Sequence, residues 1–253
     1  MRLKILGSGT SQGVPVIACR CPVCRSTDPC DRRLRCSALI EIDKKRILVD
    51  AGPDFRYQML REDIDDIRAI LLTHQHKDHI GGLDDIRAFN YVKEGPVDIY
   101  ANAQTIKTIH KDFSYAFSEI RYPGVPEMNL HEIGGQPFRI DEIEIIPIPV
   151  IHYKLEVLGF RIGNFAYITD ANYISEASLN LLHNIDYLVI NALRKEKHLS
   201  HFTLDEAIAI AEVLKVKRAY ITHIGHQMGL HSVVSKELPE NIRLAYDGMD
   251  VEI

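Results

Sequence analysis

The chain has 253 residues, of which 46% are hydrophobic and 26% are charged, as in an average soluble globular protein. This composition excludes an intrinsically disordered chain, because disorder requires low hydrophobicity and a high net charge. The 30 basic and 35 acidic side chains give a formal net charge of −5, which argues against a general nucleic-acid binder. No stretch approaches the roughly 20 apolar residues of a membrane span, and no signal-peptide pattern opens the chain, so we expect a cytoplasmic protein without a membrane partner.

Short apolar runs rich in β-branched residues recur along the chain and predict strands. These runs are residues 2–6, 37–42, 46–49, 69–72, 143–151, 155–162, 165–168, 187–190 and 219–221. Apolar residues at helical spacing predict helices over residues 81–91, 103–111, 175–182 and 204–214. The last helix carries a start signal, since Thr203 and Glu206 form a capping box.

The end of the chain contains a turn signal, because Asp247-Gly248 predicts a hairpin between two short strands within residues 244–253. Strands and helices alternate throughout, and no repeat, linker or low-complexity tract interrupts them. The pattern predicts an α/β layered fold in one domain spanning residues 1–253.

Metal-ligating residues gather directly after one predicted strand. The apolar run at 69–72 leads into His74, His76, Asp78 and His79 within a few residues. Imidazole and carboxylate groups are good ligands for first-row metals, and a polar surface loop has no need of four of them. The segment therefore predicts a metal site.

Three further predicted strands end in a single residue of this kind: His152, Asp170 and His223. Each alone would normally be a buried core or turn residue. In open α/β sheets, however, the functional crevice lies beyond the carboxyl ends of the strands, so we expect these residues to join the histidine-rich loop. Seven ligands suit two metals about 3.5–4 Å apart, with a carboxylate such as Asp170 bridging them. Because bound metal lowers the pKa of water to about 7, the pattern predicts metal-assisted hydrolysis.

A second cluster of ligands is made of cysteines. All five cysteines fall in the segment 19–36, and Cys19, Cys21 and Cys24 form a Cys-x-Cys-x-x-Cys pattern. Three thiolates at this spacing provide three corners of a structural zinc site, whereas a disulfide framework is typical of secreted chains. The segment therefore predicts a zinc-binding loop.

The fourth ligand of this zinc stays open between Cys30, Cys36 and a distant histidine. Among the histidines His226 is attractive, because it lies three residues after His223. That choice would tie the cysteine loop to the rim of the hydrolytic site.

The segment 73–79, with the sequence Thr-His-Gln-His-Lys-Asp-His, resembles the H-x-H-x-D-H signature of the metallo-β-lactamase superfamily. The similarity extends from the Gly-Ser-Gly-Thr-Ser segment at 7–11 to the Ala-Tyr-Asp-Gly segment at 245–248. It implies a four-layer αβ/βα sandwich with a dinuclear site at one edge of the two central sheets. By motif position, one metal would be held by His74, His76 and His152, the other by Asp78, His79 and His223, and Asp170 would bridge them.

Within the superfamily the chain is most similar to PhnP-like phosphodiesterases, which open phosphoribosyl 1,2-cyclic phosphate. The similarity rests on residues 9–15, on the cysteine loop and on the segment 222–226. That subgroup carries a structural zinc whose fourth ligand corresponds to His226, and a homodimer is compatible with the resemblance. PqqB-like proteins of pyrroloquinoline quinone biosynthesis share the cysteine loop.

His201 lies just before the helix that Thr203 caps. It resembles the extra histidine that phosphodiesterase members place beside the metals, where it stabilises a phosphoryl oxygen or protonates the leaving alkoxide. The alternative interpretation is a surface residue flanking a helix, and His198 is a second candidate for the role. The candidate catalytic residues are therefore Asp78 and His201.

The leading hypothesis is a phosphodiesterase that acts on a small, for example cyclic, phosphodiester. It would use two divalent metals, Zn or Mn, in the active site and one structural Zn. A tRNA 3′-processing nuclease is the second hypothesis, but those enzymes insert a long arm between the positions of His152 and Asp170, which are only 18 residues apart here. A PqqB-like binding or carrier protein is the third, although the seven-ligand set has no purpose there. A β-lactamase or thioesterase fits the cysteine loop and His201 less well.

Overall fold

In the computed structural model, which describes residues 1–120 and 123–253, fourteen strands form two seven-stranded sheets. The strands are β1 (Arg2–Gly7), β2 (Ser37–Ile42), β3 (Lys45–Val49), β4 (Ala69–Leu71), β5 (Val97–Ala101), β6 (Met128–Glu132), β7 (Phe138–Ile140), β8 (Ile143–His152), β9 (Leu155–Ile162), β10 (Phe165–Ile168), β11 (Tyr187–Asn191), β12 (Arg218–Thr222), β13 (Ile242–Leu244) and β14 (Asp250–Glu252). The helices are α1 (Phe55–Arg61), α2 (Lys77–Ile80), α3 (Arg87–Lys93), α4 (Ala103–Asp112), α5 (Glu176–Leu181), α6 (Leu204–Val213) and α7 (His231–Val234), and short 3-10 segments cover Pro29–Asp31, Leu83–Ile86, Ser114–Phe117 and His226–Met228.

Each sheet is antiparallel on one side and parallel on the other. The first sheet has the order β14-β1-β2-β3-β4-β5-β6, and β3 to β6 run parallel to one another. The second sheet has the order β13-β12-β11-β10-β9-β8-β7, and β10 to β13 run parallel. The carboxyl ends of parallel strands therefore meet at one edge of each sheet, where the predicted metal ligands follow β4, β10 and β12.

The two sheets pack face to face and are covered by helices on their outer faces. Strand alternation divides the side chains between these layers: Ile47 and Val49 join the core shared with Phe165 and Tyr167 of the second sheet, whereas Leu48 points into the outer layer. That outer layer packs β3 to β5 against α1, α3 and α4, and a third cluster packs the second sheet against α5 and α6. The result confirms the predicted four-layer αβ/βα sandwich.

The predicted strands are all present, with ends that agree to within one residue. The helix over 204–214 is confirmed as α6, and the predicted capping box of Thr203 and Glu206 is formed. The helix predicted over 81–91 is wrong as one unit. Gly81 and Gly82 separate α2 from a 3-10 turn at Leu83–Ile86, and α3 follows that turn.

The predicted C-terminal hairpin is also wrong, because β13 and β14 belong to different sheets. The connection between them crosses from one sheet to the other. Asp247 fixes this crossing by accepting hydrogen bonds from the Ser8 N–H at 2.9 Å and the Leu34 N–H at 2.7 Å. Gly248 has φ +85°, so the Asp-Gly pair makes a turn between sheets and not within a hairpin.

The helices of the described residues are short, and the longest have ten residues. None of them has the length and apolar character needed to cross a membrane.

Candidate metal centre

Three residues of the site, two of them predicted ligands, lie within two residues of a strand end and have positive φ angles. Asp50, Asp170 and His223 have φ values of 61°, 50° and 56°, in the left-handed region that non-glycine residues adopt only where the surrounding structure holds them. Each chain segment thus turns sharply at the end of its strand. The turns bring side chains from different strands together, so that His223 Nε2 lies 2.8 Å from Asp170 Oδ1.

The histidine-rich loop is fixed against the segment that follows β3. The Ala51 N–H donates to the carbonyl of His79 at 2.8 Å. Gly52 allows this close approach, because a Cβ at its position would lie 2.0 Å from the carbonyl oxygen of Asp78. A side chain at residue 52 would therefore displace the loop that carries four of the candidate ligands.

The candidate ligand atoms form overlapping groups around Asp170. Within each group, the ligand atoms lie within 4.8 Å of one another. The groups are Asp78, His79, Asp170 and His223; His74, His76 and Asp170; and His152, Asp170 and His201. Asp170 belongs to all three, so the structure brings together the seven residues expected to bind two metals and adds His201 beside them.

The spacing of these atoms fits divalent cations. Two ligand atoms bound at about 2.1 Å to one tetrahedral cation lie about 3.4 Å apart. Asp170 Oδ2 lies 3.5 Å from His74 Nε2 and 3.4 Å from His79 Nε2. The buried His79 and His223 Nε2 atoms lie 3.1 Å from Asp78 Oδ2 and 2.8 Å from Asp170 Oδ1, but neither contact has the geometry of a hydrogen bond in the described part of the chain. Buried polar atoms normally have partners, so these nitrogens are suited to bind metal.

In three of the histidines the opposite ring nitrogen, Nδ1, is held by a polar contact that orients the imidazole. His79 Nδ1 lies 2.7 Å from Asp50 Oδ2, and His152 Nδ1 donates to the Ser200 carbonyl at 2.8 Å. Thr73 Oγ1 lies 3.0 Å from His74 Nδ1 and also hydrogen-bonds Asp50. Such outer contacts fix the tautomer and direct Nε2 towards the cluster, where a metal would bind.

Asp50 is the residue that the sequence analysis missed. It is fully buried and contacts both Thr73 and His79. The signal was present, because Asp50 closes the apolar run at 46–49 in the same way that Asp170 closes the run at 165–168.

The electrostatics of the cluster favour positive charge. Burial disfavours a charged ring at His79, but the carboxylates of Asp50, Asp170 and Asp78 outweigh burial and raise the pKa of His79 well above its usual range. Against the same effect of burial, Asp170 raises the pKa of His223 to about 10. Burial would raise the pKa of Asp170, yet His223 and His79 hold it well below its usual range. Divalent cations would supply the positive charge that these buried carboxylates attract.

His201 lies beside the ligands, but its surroundings disfavour a charged ring. Its ring centroid is 4.7 Å from that of His152 and 4.9 Å from that of His223. Burial, together with His223, lowers the pKa of His201 to about 3, so the ring is neutral. Its Nδ1 is buried and has no hydrogen-bond partner among the described residues. The second candidate, His198, stacks on His201 at 5.1 Å and lies further from the cluster.

The cysteine loop forms a separate group with His226. His226 Nδ1 lies 3.3 Å from Cys19 Sγ, 3.4 Å from Cys21 Sγ and 3.6 Å from Cys24 Sγ. A nitrogen and a sulfur bound to one tetrahedral zinc lie about 3.6 Å apart, so the four side chains fit that ion. A hydrogen bond from the Cys24 N–H, against the effect of burial, lowers the pKa of the Cys21 thiol to about 6, which favours the thiolate that zinc binds.

The remaining cysteines lie outside this group. Cys36 is buried between the sheets, with its Sγ 3.0 Å from the hydroxyl of Tyr167. Cys30 lies in a 3-10 turn capped by Asp28. Of the alternatives that the sequence left open for the fourth ligand, the structure places His226 beside the three sulfurs.

The cysteine group is physically joined to the larger cluster. His226 lies three residues after His223 in the chain, and the intervening Ile224 pairs with the N-terminal loop. Its N–H donates to the Ser8 carbonyl at 2.9 Å, and its carbonyl accepts from the Thr10 N–H at 3.1 Å. The N-terminal loop is therefore anchored to the segment that carries His223.

Comparison with known proteins gives consistent results. A solved structure described as a new diphosphatase from the PhnP family is 42% identical, covers 100% of this chain and 97% of its own, and superposes with a TM-score of 0.93. The zinc-bound PqqB of Methylobacterium extorquens shares the fold, with a TM-score of 0.81 at 19% identity over 100% of both chains. An octanoyltransferase of Porphyromonas gingivalis is 39% identical over 100% of this chain and 52% of its own length.

The chain spans about half the length of the curated relatives it matches first, with 52%, 42% and 57% of their lengths covered. The model of the Beta-lactamase superfamily domain matches residues 45–224, which include β3 to β12 and every candidate ligand of the larger cluster. The chain belongs to the metallo-β-lactamase superfamily and has PhnP-like and PqqB-like relatives.

Proposed function

We propose that the protein is a metal-dependent hydrolase that cleaves a small phosphodiester by displacement at phosphorus. The position of His201 carries the proposal. A neutral, buried ring with an unpartnered nitrogen lies beside the ligand cluster, where a phosphoryl oxygen of the substrate would need a hydrogen-bond donor.

The ligand cluster would hold two divalent cations, Zn or Mn. His74, His76 and His152 would bind one of them, Asp78, His79 and His223 the other, and Asp170 both. Cations held there would lower the pKa of water and balance the charge of the phosphate. The loop over 19–36 would hold one structural zinc on Cys19, Cys21, Cys24 and His226. We place both sites in one domain spanning residues 1–253.

The chain's own residues would orient the reactants. Asp78 Oδ2 lies 3.1 Å from His79 Nε2 and 3.7 Å from His223 Nε2. With one carboxylate oxygen used as a ligand, the other can accept a proton from the attacking water. His201 would donate a hydrogen bond to a phosphoryl or leaving oxygen, a role that suits a neutral ring.

The similarity to a PhnP-family diphosphatase supports hydrolysis at phosphorus. It also makes the diphosphate bond a second candidate for the bond that is cleaved. A disubstituted diphosphate and a phosphodiester both present a phosphorus that carries a leaving oxygen substituent. The same water activation and charge balance therefore serve both, and the substrate panel must include each.

The structure gives no support to a tRNA-gripping arm at the expected place. The residues between His152 and Asp170 form β9 and β10, joined by short turns. A carrier role would not require seven converging ligands. Acyl transfer, which is named for the Porphyromonas gingivalis relative, is a weaker candidate, because 48% of that protein has no counterpart in this chain.

The test is turnover by metal-reconstituted protein after its metal content has been counted. The candidate substrates are a phosphodiester, bis(p-nitrophenyl) phosphate, and a disubstituted diphosphate, ADP-ribose. The comparison panel is p-nitrophenyl phosphate, nitrocefin, octanoyl-coenzyme A and a tRNA precursor. We expect diester or diphosphate turnover with about three metals per chain. Turnover of nitrocefin, the thioester or the tRNA precursor in preference would overturn the proposal, as would one bound metal and no turnover.

A further inference from the structure

A cavity of about 510 Å³ opens directly beside the ligand cluster. Its inner wall includes His76 and His152, and its outer wall includes Tyr153, Lys154 and the pair His198 and Leu199. The inner wall belongs to the reacting centre described above. The outer wall has no part in the chemistry and is positioned to contact the rest of a substrate.

The outer wall combines one positive charge with large apolar side chains. Lys154 supplies a positive charge, and none of the described residues that line the cavity is acidic. Tyr153 and Leu199 are large side chains with 50% and 69% of their surface exposed. The Lys154 Nζ lies 5.2 Å from the centroid of the Tyr153 ring, over one of its faces. The other face suits a flat ring, and a lysine without an acidic neighbour in the cavity suits an anion.

Tyr153 occupies a backbone position that disfavours its residue type. His152 pairs with Leu155, so Tyr153 and Lys154 form a two-residue turn between β8 and β9. Tyr153 has φ +59°, where such turns normally place glycine or asparagine. Such a conformation persists where the surrounding structure fixes the backbone.

The turn is also held in place relative to the cluster. The Tyr153 N–H donates to Asn172 Oδ1 at 2.6 Å, and the Asn172 N–H donates to the Ile151 carbonyl at 2.8 Å. Asn172 follows Asp170 by two residues. The ring of Tyr153 is therefore carried by a turn that is fixed to the segment bearing the central ligand.

The opposite wall is tied to His201. The ring of His198 stacks on that of His201, and the Ser200 N–H donates to His198 Nδ1 at 3.3 Å. This bond makes Nδ1 the acceptor and leaves Nε2 as the protonated nitrogen of the neutral ring. His198 thus adds a hydrogen-bond donor on the wall facing the turn.

We propose that Tyr153, Lys154 and His198 form a subsite for the non-reacting part of the substrate, and that this part carries a flat ring and a second phosphate, as in a nucleotide. The inference rests on the proposed function and narrows its substrate class. The ring would stack on Tyr153, and the second phosphate would be bound by Lys154 and His198.

The experiment compares three esters that share the p-nitrophenolate leaving group. They are methyl p-nitrophenyl phosphate, thymidine 5′-(p-nitrophenyl phosphate) and its 3′-phosphorylated form. For the wild type we expect kcat/KM to rise about tenfold from the methyl to the thymidine ester through ring stacking, and to rise again with the 3′-phosphate. Tyr153→Gly, which also relieves the turn, should reduce the first ratio to near one, whereas Tyr153→Phe should keep it. Lys154→Gln should remove the second gain.

Tyr173→Ala is the matched control. Tyr173 is similarly exposed and pairs with Ile151 of β8, the strand that leads to Tyr153, but it does not line the cavity. It should leave both ratios unchanged. Equal rates for the three esters in the wild type, or the same ratios in Tyr153→Gly, would overturn the subsite.

A binding measurement distinguishes failure of the subsite from failure of the proposed function. Thymidine 3′,5′-bisphosphate, the product that remains when the phosphorylated ester loses p-nitrophenolate, is titrated into the metal-loaded protein by calorimetry. If no diester is turned over but the ligand binds and both variants weaken it, the subsite stands and the proposed function fails. Diester turnover without any measurable binding of the bisphosphate would leave the function standing and refute the subsite.

Discussion

His201 lies close enough to the cluster to serve as a ligand, yet its surroundings differ from those of three neighbouring histidines. His79, His74 and His152 each have an outward nitrogen held by Asp50, Thr73 or the Ser200 carbonyl. His201 Nδ1 has no such partner in the described part of the chain. His223 Nδ1 also lacks a partner among the described residues, but His223 Nε2 lies 2.8 Å from the central Asp170. His201 is therefore the histidine that remains available to a substrate oxygen.

Replacing His201 should distinguish a metal ligand from a hydrogen-bond donor to the substrate. We expect His201→Ala to keep its metals and to lower kcat by about 10²–10³, the usual effect of removing one donor to a developing charge. Metal counting by mass spectrometry and turnover of bis(p-nitrophenyl) phosphate measure both quantities. His183→Ala, at an exposed histidine bonded to Asn180, should change neither. Loss of about one metal per chain from His201→Ala would make this residue a ligand and contradict the proposed role.

Asp50 should act on the metals through His79. Asp50→Asn keeps the shape of the side chain but removes the negative charge that faces His79 Nδ1 at 2.7 Å. Losing such an outer contact lowers metal affinity by about 10–100-fold. Competition with a zinc chelator measures this change, and Asp65→Asn, at a mostly exposed carboxylate, is the control. An unchanged affinity would show that Asp50 serves only to hold the backbone.

At the scale of elements, the sequence predicted those parts whose pattern follows from burial. The strands β4 and β10 are continuously apolar because both of their faces are covered. By contrast, β6 at the sheet edge has no buried residue in its Met-Asn-Leu-His-Glu sequence, and β7 has three residues, so neither gives a periodic signal.

The errors have a common cause. The hairpin predicted around Asp247 failed because Ser8 and Leu34, both distant in sequence, supply the hydrogen bonds that fix this turn. In the same way, the sequence predicted the candidate ligands but not the groups that contact their Nδ1 atoms. Ser200, for example, holds His152 through a carbonyl that has no sequence signature.

The cysteine loop should depend on its zinc independently of the larger cluster. Cys21→Ser should remove about one metal per chain and leave the other two bound. A zinc held at one hundred times its Kd stabilises the folded state by about 2.7 kcal/mol, so we expect Tm to fall by about 5–10 °C. Scanning calorimetry with metal counting tests this expectation. Cys30→Ser, at a half-buried cysteine outside the group, should keep all the metals, and a matching loss there would contradict the assignment.

At the scale of the whole molecule, the larger cluster is assembled from both sheets. Asp50 and the histidine-rich loop follow β3 and β4 of the first sheet, whereas His152, Asp170 and His223 lie at the ends of strands in the second. The site therefore exists only when the two sheets pack together. Its buried carboxylates make that packing depend on positive charge, which protons supply when metals are absent.

This dependence predicts a difference in pH response between the metal-free and the metal-loaded protein. In the metal-free protein the pKa of His223 is raised to about 10, against an unfolded value of about 6.5. A histidine with a raised pKa contributes stability that is fully present below about 6.5 and is lost as pH rises towards 10. We therefore expect chelator-treated protein to lose stability steadily from pH 7 to 10 in urea titrations.

The metal-loaded protein is the control, because cations would replace the protons and hold His223 and His79 as neutral ligands. Its stability should change much less over the same pH range, so the stabilisation by metal should grow as pH rises. His223→Gln removes the titrating ring and should flatten part of the metal-free profile. Parallel profiles for the loaded and stripped proteins would mean that the buried carboxylates do not need the charge, and would remove the electrostatic argument for placing cations among them.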